Sequence, residues 1–446
     1  MHANNRSVAD LTAGILESVV AQVPAIDIHT HIRPRAPSAD DLGDVLFYHY
    51  IVAELAASGV ERERIERAVS AADRIVLFTA EQHRISNTVT SWCLRRVLSA
   101  LGMDAEAELT VDALTALDRH FREHSTSPGW TGELLRDRHK IRRTFLTLNI
   151  NDDLPEFDRT LFAGTLRLDD LIAGLSAANL NSLETLAGIS IGSPADFERA
   201  AGERLSAFAA AGGVAVTAGM PPEEDFALET RAEVEKLFAT VRGGGVLEEQ
   251  DRARLHSYLL GVFVNLAADL RLPVQLLLGV RRPLPGDAAV PVVRADLSAR
   301  FAPLFHKHSA VRFDLLLASV AHSQELIAVA KNYPNVSLSG HWWYAFSPPY
   351  IRGMLTERLL ALPAAKLHGF FSDAYNIEWS AGKLALFRRE FARVLAELII
   401  SGYLTESQAP EIARGLLYEN PLRFYGIDAE GPAPSPRHRQ ASHVPR

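Results

Sequence analysis

Apolar side chains fall at Val8, Leu11, Ile15, Leu16 and Val19, the spacing of a helix with one buried stripe over 8–22. The next run, Val23-Pro24-Ala25-Ile26-Asp27-Ile28, is short and apolar and ends in His29-Thr30-His31, which reads as a strand. Residues 40–140 then become charged and helix-periodic, with Thr110-Val111-Asp112-Ala113-Leu114 as a capped helix start. From Arg142 the rhythm changes again, and short apolar runs alternate with helical ones. Strands are predicted at 143–149, 162–167, 213–218, 273–279, 311–318, 335–339 and 366–372, and helices at 193–211, 298–308, 322–333, 350–362 and 381–401. With the first strand these make eight, which predicts an α/β fold: a (β/α)8 TIM-type barrel in one domain, 1–428. Helical insertions follow strand 1 (about 40–140) and strand 4 (222–271). Gly243-Gly244-Gly245 lacks the strand-before, helix-after context of a phosphate loop and reads as a flexible connection. Residues 429–446, rich in Pro, Ser, Arg and His, read as a disordered tail.

Composition narrows the partners. With 48% hydrophobic and 22% charged residues the chain has the make-up of a soluble globular enzyme. A net charge of −8 argues against nucleic acid or an anionic membrane as the main partner, so an anionic small molecule would need a local cluster of arginines. Cys93 is the single cysteine, which excludes an intramolecular disulfide and thiolate metal clusters; beside Trp92 it reads as a small buried hydrophobe. The polar start of the chain has no signal-peptide pattern and no run approaches a membrane span, so a cytoplasmic protein is expected. Association into a homo-oligomer stays open.

Chemistry enters with His29 and His31. Side chains at i and i+2 of a strand share a face, so both imidazoles come within one metal's reach. On the first strand of a barrel they would sit at the C-terminal mouth, where such barrels do chemistry. Asp27, one step deeper on the same face, could orient a ligand from behind. Asp373 ends the last predicted strand and faces the same mouth, as a third ligand or a base; the alternative is an N-cap for the helix after it. Two nitrogens and one oxygen leave an open position on a divalent metal, most simply Zn²⁺.

These residues and others in order along the chain resemble the uronate isomerase branch of the amidohydrolase superfamily. Asp27-Ile28-His29-Thr30-His31 matches the superfamily's D-x-H-x-H, and His49-Tyr50 before Gly59-Val60 resembles the isomerases' H-Y-x-x-R before N-G-V, with Ala53 at the arginine. Trp92-Cys93-Leu94-Arg95-Arg96 with Leu101-Gly102-Met103, Asn151-Asp152-Asp153-Leu154, Gln275-Leu276-Leu277-Leu278-Gly279, Trp342-Trp343-Tyr344, and Tyr418-Glu419-Asn420 with Arg423-Phe424-Tyr425 are similar to further isomerase segments. The latter half, at Asn332-Tyr333-Pro334-Asn335-Val336 and Ser372-Asp373-Ala374, also resembles a neighbouring branch, amidohydrolase family 2.

The resemblance implies metal ligation by His29, His31 and Asp373. It implies catalytic roles for Asp373, Tyr50 and His49, and substrate contacts from Arg167, Arg282 and Trp342, with Tyr375 standing two residues past the aspartate where the isomerases carry an arginine. An aldose–ketose isomerase would use metal and phenol to polarise the carbonyl and its neighbouring hydroxyl while a base moves a proton between C1 and C2; arginines would grip the uronate carboxylate. Leu277 stands where the isomerases have a histidine, and Thr217-Ala218-Gly219-Met220 where they have S-D-H-G. These departures keep two alternatives: a mononuclear metal hydrolase or decarboxylase acting on a carboxylated amide, ester or lactone, and a non-catalytic binding barrel. Simpler roles stay open for single residues: Tyr50 as packing, Arg167 paired with Asp169 or Asp170, only one of Trp342 and Trp343 facing inward by strand alternation, His341 as a solvated loop residue, and His368 as structural.

Overall fold

The computed structural model describes residues 7–428 except 128, 286 and 287, so the tail expected at 429–446 lies outside the described residues. Eight strands form one sheet in the order β1 (Ala25–Thr30), β2 (Ile141–Asn149), β3 (Phe162–Arg167), β4 (Gly213–Met220), β5 (Val274–Leu278), β8 (Phe313–Leu317), β9 (Val336–Ser339) and β10 (Leu367–His368). β6 (Val280–Leu284) and β7 (Ala288–Pro291) pair only with each other, as an antiparallel hairpin. From β2 to β10 neighbouring strands of the large sheet run parallel, with helices between successive strands except β2 and β3, which an irregular loop joins, and the fold is of the α/β, TIM-type class predicted. Among the described residues no helix is long and apolar enough to cross a membrane.

The helix starts follow their caps. Thr110 accepts from the Ala113 N–H, and Ser193 and Asp196 form a reciprocal capping box at Pro194–Ala210. The region predicted as the second insertion holds helices Arg231–Arg242 and Glu249–Asp269, joined across the glycine run, where Gly244 takes φ +81°.

Contacts divide the described residues into two compact units, one within Met1–Ile141, His341–Leu360 and Phe370–Arg414, the other within Arg142–Gly340, Ala361–Gly369 and Gly415–Arg446. The second unit is stitched by a buried polar network. Asp314 on β8 accepts from Ser339 (2.7 Å) and from Tyr425, and lies 3.1 Å from His368 Nδ1, while Gln275 on β5 donates to the Tyr425 hydroxyl at 2.9 Å. His368 is thus held on the protein's own carboxylate, in keeping with a structural role.

The first unit is built around β1 and the long helix Ile377–Ile400, whose Gly382 lets it press close on the helix Val89–Ala100: an added Cβ would lie 2.8 Å from the Cys93 carbonyl. In that helix Glu378 is buried, accepting hydrogen bonds from Ser38, the Ala39 N–H (3.1 Å) and the Trp130 indole (3.5 Å). Burial outweighs those donors and lifts its pKa from 4.5 to about 7. Between those pH values the native state holds a proton that the unfolded chain has released. This contribution is complete below the unfolded value and disappears as pH rises through the folded one. Glu378→Gln, neutral at every pH, is therefore expected to gain stability on the wild type between about pH 5 and pH 8, by up to roughly 3 kcal/mol. Urea unfolding of both proteins at the two pH values measures this, and a gap that does not change with pH contradicts it.

Candidate metal and active site

β1 presents Asp27 and His29 on one face, with His31 following on the same side just past its end, and the strand is buried throughout. The chain after β10 returns alongside it. The Asp373 N–H donates to the His29 carbonyl (3.0 Å), and the His31 N–H donates to the Ala374 carbonyl (2.7 Å). Asp373 itself adopts φ +53°, a left-handed conformation that Asp and Asn tolerate better than most side chains. This turn carries its carboxylate to the two imidazoles.

The two carboxylate oxygens have separate surroundings. Among the described residues Oδ1 takes no hydrogen bond, and it lies 3.2 Å from His31 Nε2 and 3.8 Å from His29 Nε2. Ligand atoms of the three residues all fall within 4.8 Å of one another. Donors at ~2.1 Å from a tetrahedral cation sit ~3.4 Å apart, so this nitrogen, nitrogen, oxygen set fits a divalent metal with room for a further ligand. Oδ2 accepts from the Trp342 indole N–H (3.1 Å) and the Tyr50 hydroxyl (3.2 Å). Burial works against its charge, but His31, His29 and the Lys383 ammonium outweigh it and hold the carboxyl well below the usual range.

Among the described residues no hydrogen bond joins Asp27 to an imidazole; its Oδ1 accepts the Ser372 N–H at 2.8 Å and so fixes the backbone one residue before Asp373. The alternative role for Asp373, an N-cap, falls to Asn376, which accepts from the Trp379 N–H at 3.1 Å. The last strand is shorter than the predicted 366–372, ending at His368, so strand alternation does not set the side chains of 369–373. Nor does strand alternation set Trp342, because this segment leads into a 3-10 turn, Trp343–Ala345; the Trp342 indole N–H donates to Asp373. His341 is no solvated loop residue. It is buried against Phe387, without a hydrogen bond at either nitrogen among the described residues, and burial with the Arg358 charge lowers its pKa far below the ordinary value.

Tyr50 and His49 open the helix His49–Ala57, separate from the one ending at Leu46, so the Tyr50 ring is not simply one more residue on a continuous stripe. Burial and the Asp373 charge raise the Tyr50 pKa well above 10, which keeps it a hydrogen-bond donor. His49 keeps an exposed edge while its ring leans on Tyr48, Tyr50 and Tyr375, with centroids 4.2, 4.0 and 4.7 Å away. Loss of water around the ring and the Lys383 charge lower its pKa, favouring neutral imidazole. Tyr375, half exposed, stacks on His31 with centroids 5.0 Å apart.

Sequence reasoning missed Tyr48 and Lys383. Lys383 is buried, donates to the Ser372 carbonyl (2.7 Å) and Tyr48 hydroxyl (3.3 Å), and lies 4.5 Å from the centroid of the Tyr50 ring. Burial lowers its pKa to about 8, against the pull of Asp373 and Asp27. The available signal was a lysine four residues after Trp379 on an otherwise apolar helix stripe.

Arg167 and Arg282 belong to the second unit. Arg167 ends β3 and donates through Nε (2.9 Å) and Nη2 (2.7 Å) to Asp169, one of the two expected partners, whose other oxygen takes the Gly219 N–H. Arg282 is exposed on the β6–β7 hairpin, and Leu277 is buried on β5.

No protein-family model matches the chain. It is 27% identical over 442 residues to a uronate isomerase of Rhizorhabdus wittichii, covering 90% of this chain and 92% of that protein. Among solved structures, glucuronate isomerase from Caulobacter crescentus superposes with a TM-score of 0.84 at 18% identity, over 96% of this chain and 97% of that one. Uronate isomerase from Thermotoga maritima gives 0.84 at 15% identity, over 93% and 97%. The chain is uronate isomerase-like along nearly its whole length, and its fold is theirs.

Proposed function

We propose that this chain is a metal-dependent isomerase that interconverts the aldose and ketose forms of a uronate by moving a proton between C1 and C2. The observation that carries the reading is the divided carboxylate of Asp373, with one oxygen turned to two imidazoles and the other to a phenol and an indole. Likeness to isomerases of uronate and glucuronate over nine-tenths of the chain supports the substrate class.

His29, His31 and Asp373 would hold the cation, most simply Zn²⁺ given two imidazoles and one carboxylate. Such an ion supplies Lewis-acid polarisation of a carbonyl and its neighbouring hydroxyl. The remaining work falls to side chains. Tyr50, kept protonated, donates to an oxygen that gains charge as the enediol forms. Neutral His49 accepts a proton and returns it one carbon along. Trp342 locks the Asp373 carboxylate in one orientation. Lys383, cationic below its pKa of about 8, places positive charge beside the two tyrosines, which favours an anionic substrate and its enediolate.

Tyr50→Phe removes the hydroxyl and leaves the three metal-holding residues in place. Conversion of D-glucuronate is expected to fall about 10²- to 10⁴-fold with metal content per chain unchanged. A loss under threefold would take Tyr50 out of the proton-transfer machinery.

A further inference from the structure

Tyr50 also lines a cavity of about 360 Å³, within the size range of small-molecule sites. Tyr50 belongs to both places: its hydroxyl donates to Asp373, and it also lines the cavity. Lys383 does the same from the helix Ile377–Ile400. The rest of the wall is mainly non-polar, with Ala53, Cys93, Phe346 and Trp379 among its members. Glu54 also lines it and already accepts a hydrogen bond from Thr88 at 2.6 Å, so a second anion there would meet repulsion. Ala53 and Ala57 add only methyl groups to this wall.

A bare hexuronate has oxygen on every carbon and gains nothing from such walls, because a hydroxyl buried without a partner costs free energy. We infer that the cavity receives a non-polar ring or chain of the substrate. The molecule handled at Asp373 is then a uronate that carries an apolar substituent and keeps C1 and C2 free for proton transfer. This inference rests on the isomerase reading for the chemistry at Asp373, while the cavity can be tested by binding alone.

The probes are 4-phenylbutyrate, a carboxylate with a phenyl ring on a short chain, and butyrate, which lacks the ring. Isothermal titration of the metal-loaded protein is expected to show the phenyl acid binding at least tenfold tighter. Ala53 is exposed at the cavity rim, so Ala53→Trp should fold while its indole fills the space; Ala57→Trp, one turn on, does the same from a second position. Either variant should cut the preference below threefold and leave metal content and butyrate binding unchanged. Equal binding of the two acids to the wild type overturns the inference, as does a preference that survives both substitutions. D-glucuronate conversion is followed on the same samples. Lost conversion with an intact, tryptophan-sensitive phenyl preference would sink the isomerase reading and uphold the cavity.

Discussion

Asp373→Asn is expected to yield a folded chain that binds well under one metal ion per molecule and converts uronate at least about 10³-fold more slowly. Asparagine is the informative choice because residue 373 sits at φ +53°, where alanine would add backbone strain to the lost carboxylate. The amide keeps the size, the conformation and the backbone bonds to β1, but it removes the negative charge and turns one acceptor oxygen into an N–H donor, which can neither bind a cation at Oδ1 nor accept from Trp342 and Tyr50 at Oδ2. Metal analysis of the purified variant separates loss of the ion from loss of the acceptor that orients Tyr50 and Trp342. Full metal content with turnover within tenfold of wild type would mean that Asp373 neither holds the ion nor serves the reaction.

The second large effect is on stability. Trp379 is fully buried, its indole donates to the Val45 carbonyl at 3.1 Å, and its ring stacks on Tyr48 with centroids 4.3 Å apart. Tyr48 in turn takes the Lys383 hydrogen bond and donates to the Asp373 carbonyl. Trp379→Ala is expected to cost about 3–5 kcal/mol, since the vacated space lies between a helix and the residues that fix the site. Urea unfolding reads the cost directly. Metal affinity should fall with it, because Tyr48 loses the face against which it is held. A variant within about 1 kcal/mol of wild type would show that the neighbouring rings collapse into the gap.

Much of this was legible in the sequence, for physical reasons. Period-two spacing put His29 and His31 on one side of a strand, and short apolar runs located the parallel strands because both faces of such strands are buried. The β6–β7 hairpin went unseen because Val280–Leu284 and Ala288–Pro291 are short, mostly exposed and rich in Arg and Pro. The approach to Asp373 was misread as strand because Gly369-Phe370-Phe371 is apolar; in the fold these residues are buried but irregular, and a positive φ rather than strand alternation aims the carboxylate. Lys383 escaped notice because its one local signal, a lysine on an apolar helix stripe, does not say what the ammonium would meet there. Its partners, Tyr48 and the Ser372 carbonyl, lie 335 and 11 residues away in sequence.

The central claim is proton transfer between C1 and C2 at Asp373, and proton NMR in D2O tests it most directly. Metal-loaded chain is mixed with D-glucuronate or D-galacturonate, and both the ketose signals and the C2 proton of the aldose are monitored. The predicted result is ketose formation with solvent deuterium entering C2 of the returned aldose, both absent with Asp373→Asn. A chain carrying one equivalent of metal that forms no ketose and exchanges no C2 proton would contradict the account.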